Sequence, residues 1–215
     1  MGRPFPYPRL TDPAELAKLG EWSEELYRDF DAVREGNLSE AELHAKYKAR
    51  AAILCLDMTG FTETAIQFGE VQSLLRIHDV QTVCLPVLRS HGARLVRAFA
   101  DDLTALFDDP HHAVDAALEI HRRVHAFNAS DLAGAHPAET CIGIGYGEVF
   151  GIGPNLAMGD EMNRASKLGE DTARGFETLI TENVYEAVVQ RTDCAFRPER
   201  REELPFSFYS VTSQT

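Results

Sequence analysis

ARLVRAFADDLTALF (Ala93–Phe107) decides how this chain is read, because two apolar runs flank a pair of aspartates. Arg94 to Ala100 and Leu103 to Phe107 read as the strands of a hairpin. An earlier run, AILCLDMTGFT (52–62), has the same character, and Ala51 to Leu56 reads as a strand that closes on Asp57. An ionised carboxylate after such a run is costly unless charge or hydrogen bonds compensate it. Asp57 and Asp101, each at a strand end, therefore suggest a shared divalent-cation site. Hard cations such as Mg²⁺ take one or two carboxylates together with substrate phosphates. Each aspartate also has an ordinary reading, Asp57 as a helix cap and Asp101 as a turn residue.

Outward from these runs the chain alternates strands with helices. Thr62 to about Ser90 reads as a long helix carrying Pro86, ended by Gly92. After the hairpin come the helix HHAVDAALEIHRRVHAFN, a strand from Thr140 to Val149, a helix from about Asp160 to Ala173 and a strand at Glu177–Ile180. A helix from Thr181 and the strand FSFYSVT complete the order. This is β-α-β-β-α-β with C-terminal additions, the split βαβ arrangement of an α+β ferredoxin-like fold. Ahead of it, residues 1–50 read as an arm and helical extension to a domain over 51–215. Asp12, Pro13 and Gly36 bound one predicted helix, and Ser39 to Arg50 predicts a short second one.

Composition narrows the function. The 215 residues, 44% hydrophobic, suffice for one core, and the formal charge of −13 excludes a protein that coats nucleic acid. A small phosphorylated substrate stays open, because a metal can supply positive charge. Cys55, Cys84, Cys141 and Cys194 form no CxxC pair, so neither a disulfide framework nor a zinc site is expected. His121 and His125 are four apart, but nothing nearby adds further ligands. The start MGRPFPYPRL has no apolar core of a signal peptide and no stretch has the length of a membrane span. A cytoplasmic protein is the expectation.

The link DMTGF places Gly60 where the chain turns sharply out of the first strand. Backbone amides of that turn, at Thr59, Gly60, Phe61 and Thr62, with a helix N-terminus behind them, suit a triphosphate. In the hairpin a regular strand sets Arg97, Phe99 and Asp101 on one face. GIGYGEVFGIGPNLAMGDEMNRASKLGED (Gly143–Asp171) fails as a dinucleotide fingerprint, since Glu148 stands where the last glycine is needed. Its small residues instead let a strand lie close to another backbone or to a ligand. In the next helix Asn163 and Lys167 are four apart and share a face, an amide and an ammonium suited to ribose and phosphate oxygens.

DMTGFT, RAFADDLTALF, GIGYGEV and MGDEMNRASKLGEDTA, in this order and spacing, resemble the class III nucleotidyl cyclases, the adenylyl and guanylyl cyclase catalytic domains. The resemblance covers about Ala51 to Tyr185. It implies two divalent metal ions, Mg²⁺ or Mn²⁺, held at Asp57, Met58 and Asp101, and triphosphate binding at Thr59 to Thr62. It further implies catalytic roles for Asn163, on the ribose, and Lys167, at the family's phosphate-binding arginine. Arg97 and Leu156 fall on the base-selecting positions. A head-to-tail homodimer with active sites at its interface is implied, and so is attack of the ribose 3′-oxygen on the α-phosphorus with loss of pyrophosphate.

Three departures shape the substrate. Adenylyl cyclases typically read adenine with a lysine and an aspartate or threonine, whereas this chain has Arg97 and Leu156. Leucine cannot accept the adenine amino hydrogen, which penalises ATP. Arg97 presents a planar set of donors to the carbonyl of a smaller base. Lysine at position 167 keeps the charge and loses the bidentate fork. The combination resembles the bacterial pyrimidine cyclases of antiphage defence, implying cyclic UMP, or cyclic CMP, as a messenger that activates a separate effector. An adenylyl cyclase with a differently built base pocket, and a silent cyclase-like nucleotide-sensing or dimerisation module, are the alternatives.

Overall fold

The computed structural model describes residues 6–214 apart from 21, 61–65, 68, 134–136 and 154–155, with only the backbone of 95, 152, 153 and 156. The contacts divide the chain into two units, residues 1–48 with 150–158, and residues 49–149 with 159–215.

In the first unit the single helix expected from Asp12 to Gly36 is two, α1 (Pro13–Leu19) and α2 (Glu24–Glu35). Asp12 caps α1 through Ala14 N–H, and the chain leaves it at Gly20, where a side chain would strike the Tyr27 hydroxyl. Ser23 then caps α2, so a fresh N-terminus interrupts an apolar spacing that looked continuous. Helix α3 (Glu40–Tyr47) opens with a Ser39–Glu42 capping box. Leu26 and Leu43 form the core of this unit, with Trp22, Phe30, Val33, Tyr47 and Phe150 around them.

The second unit is built on a sheet whose strands run β2-β3-β1-β4-β6-β8-β7. They are β1 (Lys48–Met58), β2 (Leu95–Phe99), β3 (Asp102–Phe107), β4 (Thr140–Gly153), β6 (Thr178–Thr181), β7 (Cys194–Glu199) and β8 (Phe208–Ser213). A short strand absent from the sequence reading, β5 (Leu156–Met158), pairs antiparallel with the Phe150–Gly153 end of β4 in the first unit. Helices α4 (Glu70–Ser90) and α5 (Pro110–Asn128) complete the β-α-β-β-α-β order, which is the expected split βαβ fold. Strand β7, also not anticipated, pairs antiparallel with β8 and ends the sheet. Its Pro198 is tolerated because an edge strand need not donate on its open side.

Alternation of side chains gives the sheet two buried faces. Ala52, Leu54, Leu56 and Met58 of β1, with Leu103, Ala105 and Phe107 of β3, pack under α4 and α5 in the main core. Fully burying one Leu or Phe there is worth about 1.5–3 kcal/mol. The opposite face carries Cys141, Leu179 and Phe208 against Leu168 and Ala173. Helix α6 (Asp160–Ser166) lies on that side and widens into a π-helical turn (Lys167–Thr172), where Ala173 N–H reaches back to Leu168 O. The expected uninterrupted α-helix to Ala173 is thus replaced in its second half. Helix α7 (Glu182–Val188) completes the core, and Pro86 sits inside α4 without ending it.

Candidate active site

Asp57 is the penultimate residue of β1, half-buried, and is a strand residue rather than a helix cap. Loss of water and then repulsion from other carboxylates push its carboxyl up to about 7, against a lowering hydrogen bond from the Met58 amide. The repelling groups are Asp101, Asp102 and Glu170. Met58 itself turns its side chain into the main core, leaving only its backbone at the site.

The hairpin corrects one expectation. Phe99 pairs with Asp102, so Ala100 and Asp101 alone form the turn, with Ala100 at φ +51°. Asp101 therefore lies beyond the strand, and the shared face is Arg97, Phe99 and, across the ladder, Asp102 and Thr104. The Arg97 guanidinium stands 5.3 Å from the centre of the Phe99 ring, which is 62% exposed. Burial raises the Asp102 carboxyl to about 6, Glu170 and Asp101 add to this, and Arg97 opposes it. Both hairpin aspartates thus act on Asp57, and Glu170, from the π-helical turn, is a further carboxylate that sequence reading missed. Among the described residues, no three His, Cys, Asp or Glu side chains are gathered closely enough to hold a metal alone.

At the turn after β1, the Thr59 amide donates to Glu139 O at 3.0 Å. Its hydroxyl lies 2.9 Å from the Cys141 thiol, which in turn donates to Ala173 O. The Thr59 amide and side chain are thus both committed within the protein, which corrects the expectation that the Thr59 amide takes phosphate. Gly60 has φ +69°, a conformation that disfavours any side chain. Phe61 and Thr62 lie outside the described residues, as does the side chain of Leu156, whose backbone pairs with Gly153 at the start of β5.

Asn163 and Lys167 are both exposed on α6 and its π-helical continuation. They line one cavity of about 320 Å³ with Asp160, Arg164, Pro205 and Phe206. Lys167 is paired with Asp171 at 2.6 Å. The glycines of β4 explain how this helix sits. A side chain at Gly143 would overlap Ala165 O and the Gly169 amide, and one at Gly145 would overlap Glu161 O. At Gly147 it would come within 2.8 Å of Glu161 Cγ. The small residues admit the backbone of the helix, one of the two possibilities the sequence left open. Buried Glu161 then locks it: its carboxylate accepts from the Tyr146 amide at 3.0 Å, the Thr181 hydroxyl at 2.6 Å and Arg164 at 3.1 Å.

No protein-family model matches the sequence, and no curated protein sequence matches it. Solved structures do match. The catalytic core of a rhodopsin-guanylyl cyclase with converted specificity, in complex with ATPαS, is 18% identical with a TM-score of 0.67, covering 78% of this chain and 99% of that one. The adenylyl cyclase CyaB from P. aeruginosa is 17% identical with a TM-score of 0.64, over 78% and 97%. The guanylate cyclase domain of RhGC from Catenaria anguillulae, in complex with GTP, is 18% identical with a TM-score of 0.64, over 79% and 98%. The chain has the fold of the adenylyl and guanylyl cyclase catalytic domains.

Proposed function

We propose that this protein is a metal-dependent nucleotidyl cyclase that converts a nucleoside triphosphate to its 3′,5′-cyclic monophosphate and pyrophosphate, with UTP favoured and CTP next. The observation that carries this reading is the meeting of Asp57 with the Asp101–Asp102 hairpin at one end of the sheet, on a fold shared with cyclases. The residues suit divalent ions. The donors are oxygens, and a cation offsets the repulsion that raises the Asp57 carboxyl. Asp57, Asp101 and the Met58 backbone would hold two Mg²⁺ or Mn²⁺ ions together with the substrate phosphates. Bound there, such ions would acidify the ribose 3′-hydroxyl and offset triphosphate charge.

The chain's own groups do the rest. Beyond Thr59, backbone amides from Gly60 onward, with Phe61 and Thr62 next in the sequence, take the triphosphate. Asn163 orients the ribose, and Lys167 exchanges Asp171 for phosphate and offsets charge that grows as pyrophosphate leaves. Arg97 donates to a pyrimidine carbonyl, while Leu156 offers the adenine amino group no acceptor. In a head-to-tail homodimer, one protomer supplies the metal aspartates and the other supplies Arg97, Leu156, Asn163 and Lys167. Exposure of Asn163 and Lys167 supports this division. The cyclic pyrimidine nucleotide then serves as a messenger to a separate effector in antiphage defence, a role resting on the Arg97–Leu156 pair.

The test is incubation with ATP, GTP, CTP and UTP in Mn²⁺, with products resolved by chromatography and mass. Cyclic UMP or cyclic CMP, lost in Asp57→Ala, is the expected result. Cyclic AMP or cyclic GMP as the main product overturns the pyrimidine assignment, and no cyclic product from any nucleotide overturns the enzyme.

A further inference from the structure

Behind the turn that follows β1 stands a cation that no motif singles out. Arg76 occupies the second turn of α4 and is half-buried. Its Nη2 donates to Thr59 O at 3.3 Å and to Pro137 O at 3.0 Å, so one nitrogen joins two segments that are far apart in sequence. The second segment is itself fixed: Asn128, the last residue of α5, donates to Ala138 O at 2.7 Å and accepts from Ala138 N–H at 3.0 Å. Thr59 N–H closes the circuit on Glu139 O. Thr59 is thereby held at its amide, its hydroxyl and its carbonyl, each by a different partner.

The carbonyl contact has a stereochemical consequence. In a planar trans peptide the C=O and the following N–H point to opposite sides, and the described residues contain no cis peptide. Turning Thr59 C=O toward Arg76 therefore turns the Gly60 N–H away from α4. Burial lowers the Arg76 pKa and Glu139 opposes this, so the guanidinium, unlike a lysine in the same place, stays charged.

We propose that Arg76 is a positioning residue for the substrate triphosphate, which sets the orientation of the Thr59–Gly60 peptide from behind without touching the nucleotide. This rests on the cyclase reading, in which that turn takes the phosphates. An arginine that merely fastened α4 to the segment before β4 would affect stability alone.

The experiment compares Arg76→Leu and Arg76→Lys with the wild-type full chain, using amide hydrogen exchange at Thr59 and steady-state kinetics on the nucleotide the wild type cyclises. Losing a charge-assisted tether is expected to speed Thr59 exchange and raise KM by about tenfold each, with kcat changed less than about threefold. Arg76→Lys, which retains a donor, is expected to recover part of the KM. If the leucine variant fails to fold, the lysine variant carries the test through an intermediate KM. Wild-type exchange and KM in a folded Arg76→Leu overturn the inference, as does a fall in melting temperature with no change in KM. A wild-type protein that cyclises no nucleotide overturns the cyclase reading and the triphosphate role with it. That outcome is told apart from failure of the tether because Thr59 exchange is read without substrate.

Discussion

Asp57 and Asp102 are each the next residue outward from the Leu56–Leu103 pair, the last of the β1–β3 ladder. Two carboxylates on adjacent strands at the same level, with Asp101 one residue beyond in the turn, concentrate negative charge at a single corner of the sheet. Both Asp57 and Asp102 are raised well above an ordinary aspartate, mainly by burial.

That arrangement separates the roles of the two hairpin aspartates. On the proposed function, Asp57→Asn and Asp101→Asn are each expected to lower cyclase turnover by at least about hundredfold, since each would remove a metal ligand. Asp102→Asn, opposite Asp57 but inside the strand, is expected to cost about tenfold or less. Product formation under saturating Mn²⁺ ranks the three, and a larger loss at Asp102 than at Asp101 would exchange their assignments.

Arg97 and Leu156, proposed to select the base, give a specificity prediction. Arg97→Lys combined with Leu156→Asp restores a donor and an acceptor for the adenine edge. The ratio of kcat/KM for ATP over UTP is expected to rise by at least about tenfold. Competition between the two nucleotides in one reaction measures it directly.

Gly143→Ala tests the contact between β4 and α6. Its new methyl group meets backbone, which cannot rotate aside, so a loss of about 1–3 kcal/mol is expected from overpacking. Urea unfolding at unchanged slope reads the stability. A simultaneous fall in turnover marks displacement of Asn163 and Lys167.

His121 predicts the acid limb of stability. It is buried in α5, 3.1 Å from the Thr140 hydroxyl and 2.8 Å from the Thr178 hydroxyl. Burial, and then the neighbouring His125, lower its pKa from 6.5 to about 4, against a raising hydrogen bond from the Glu177 backbone. The unfolded chain therefore binds the proton more readily, so stability is full above about pH 6.5 and falls as pH drops toward 4. The loss across that window is about 3 kcal/mol. Melting temperature measured between pH 7 and 4 follows it, and His121→Leu flattens the slope while lowering the plateau, since it strands two buried hydroxyls.

Much of this was legible beforehand where local chemistry and pattern agree. The runs ending at Asp57 and leading to Phe107 are strands because apolar residues fill them, and Gly60 and Gly92 turn the chain at positive φ. The sequence pattern places the hairpin turn one residue too late, because a turn of only Ala100 and Asp101 is shorter than the precision of strand ends in a sequence. Strand β7 hid behind Arg197 and Pro198, exposed at the sheet edge, and half-buried Glu199, which together remove the apolar alternation. Arg76 gave no signal, since helical spacing marks it as one more polar position. Its partners are carbonyls 17 and 61 residues away.

The bare positions of β4 at Gly143 and Gly145 work like a machined seat. With no side chain between strand and helix, the height of α6 above the sheet is fixed by backbone meeting backbone, where a clash is stiff and has no alternative rotamer. The polar face of that helix accordingly inherits the tolerance of the main chain and not the looser one of packed side chains. A shim of a single methyl group would shift Asn163 and Lys167 together, as one piece.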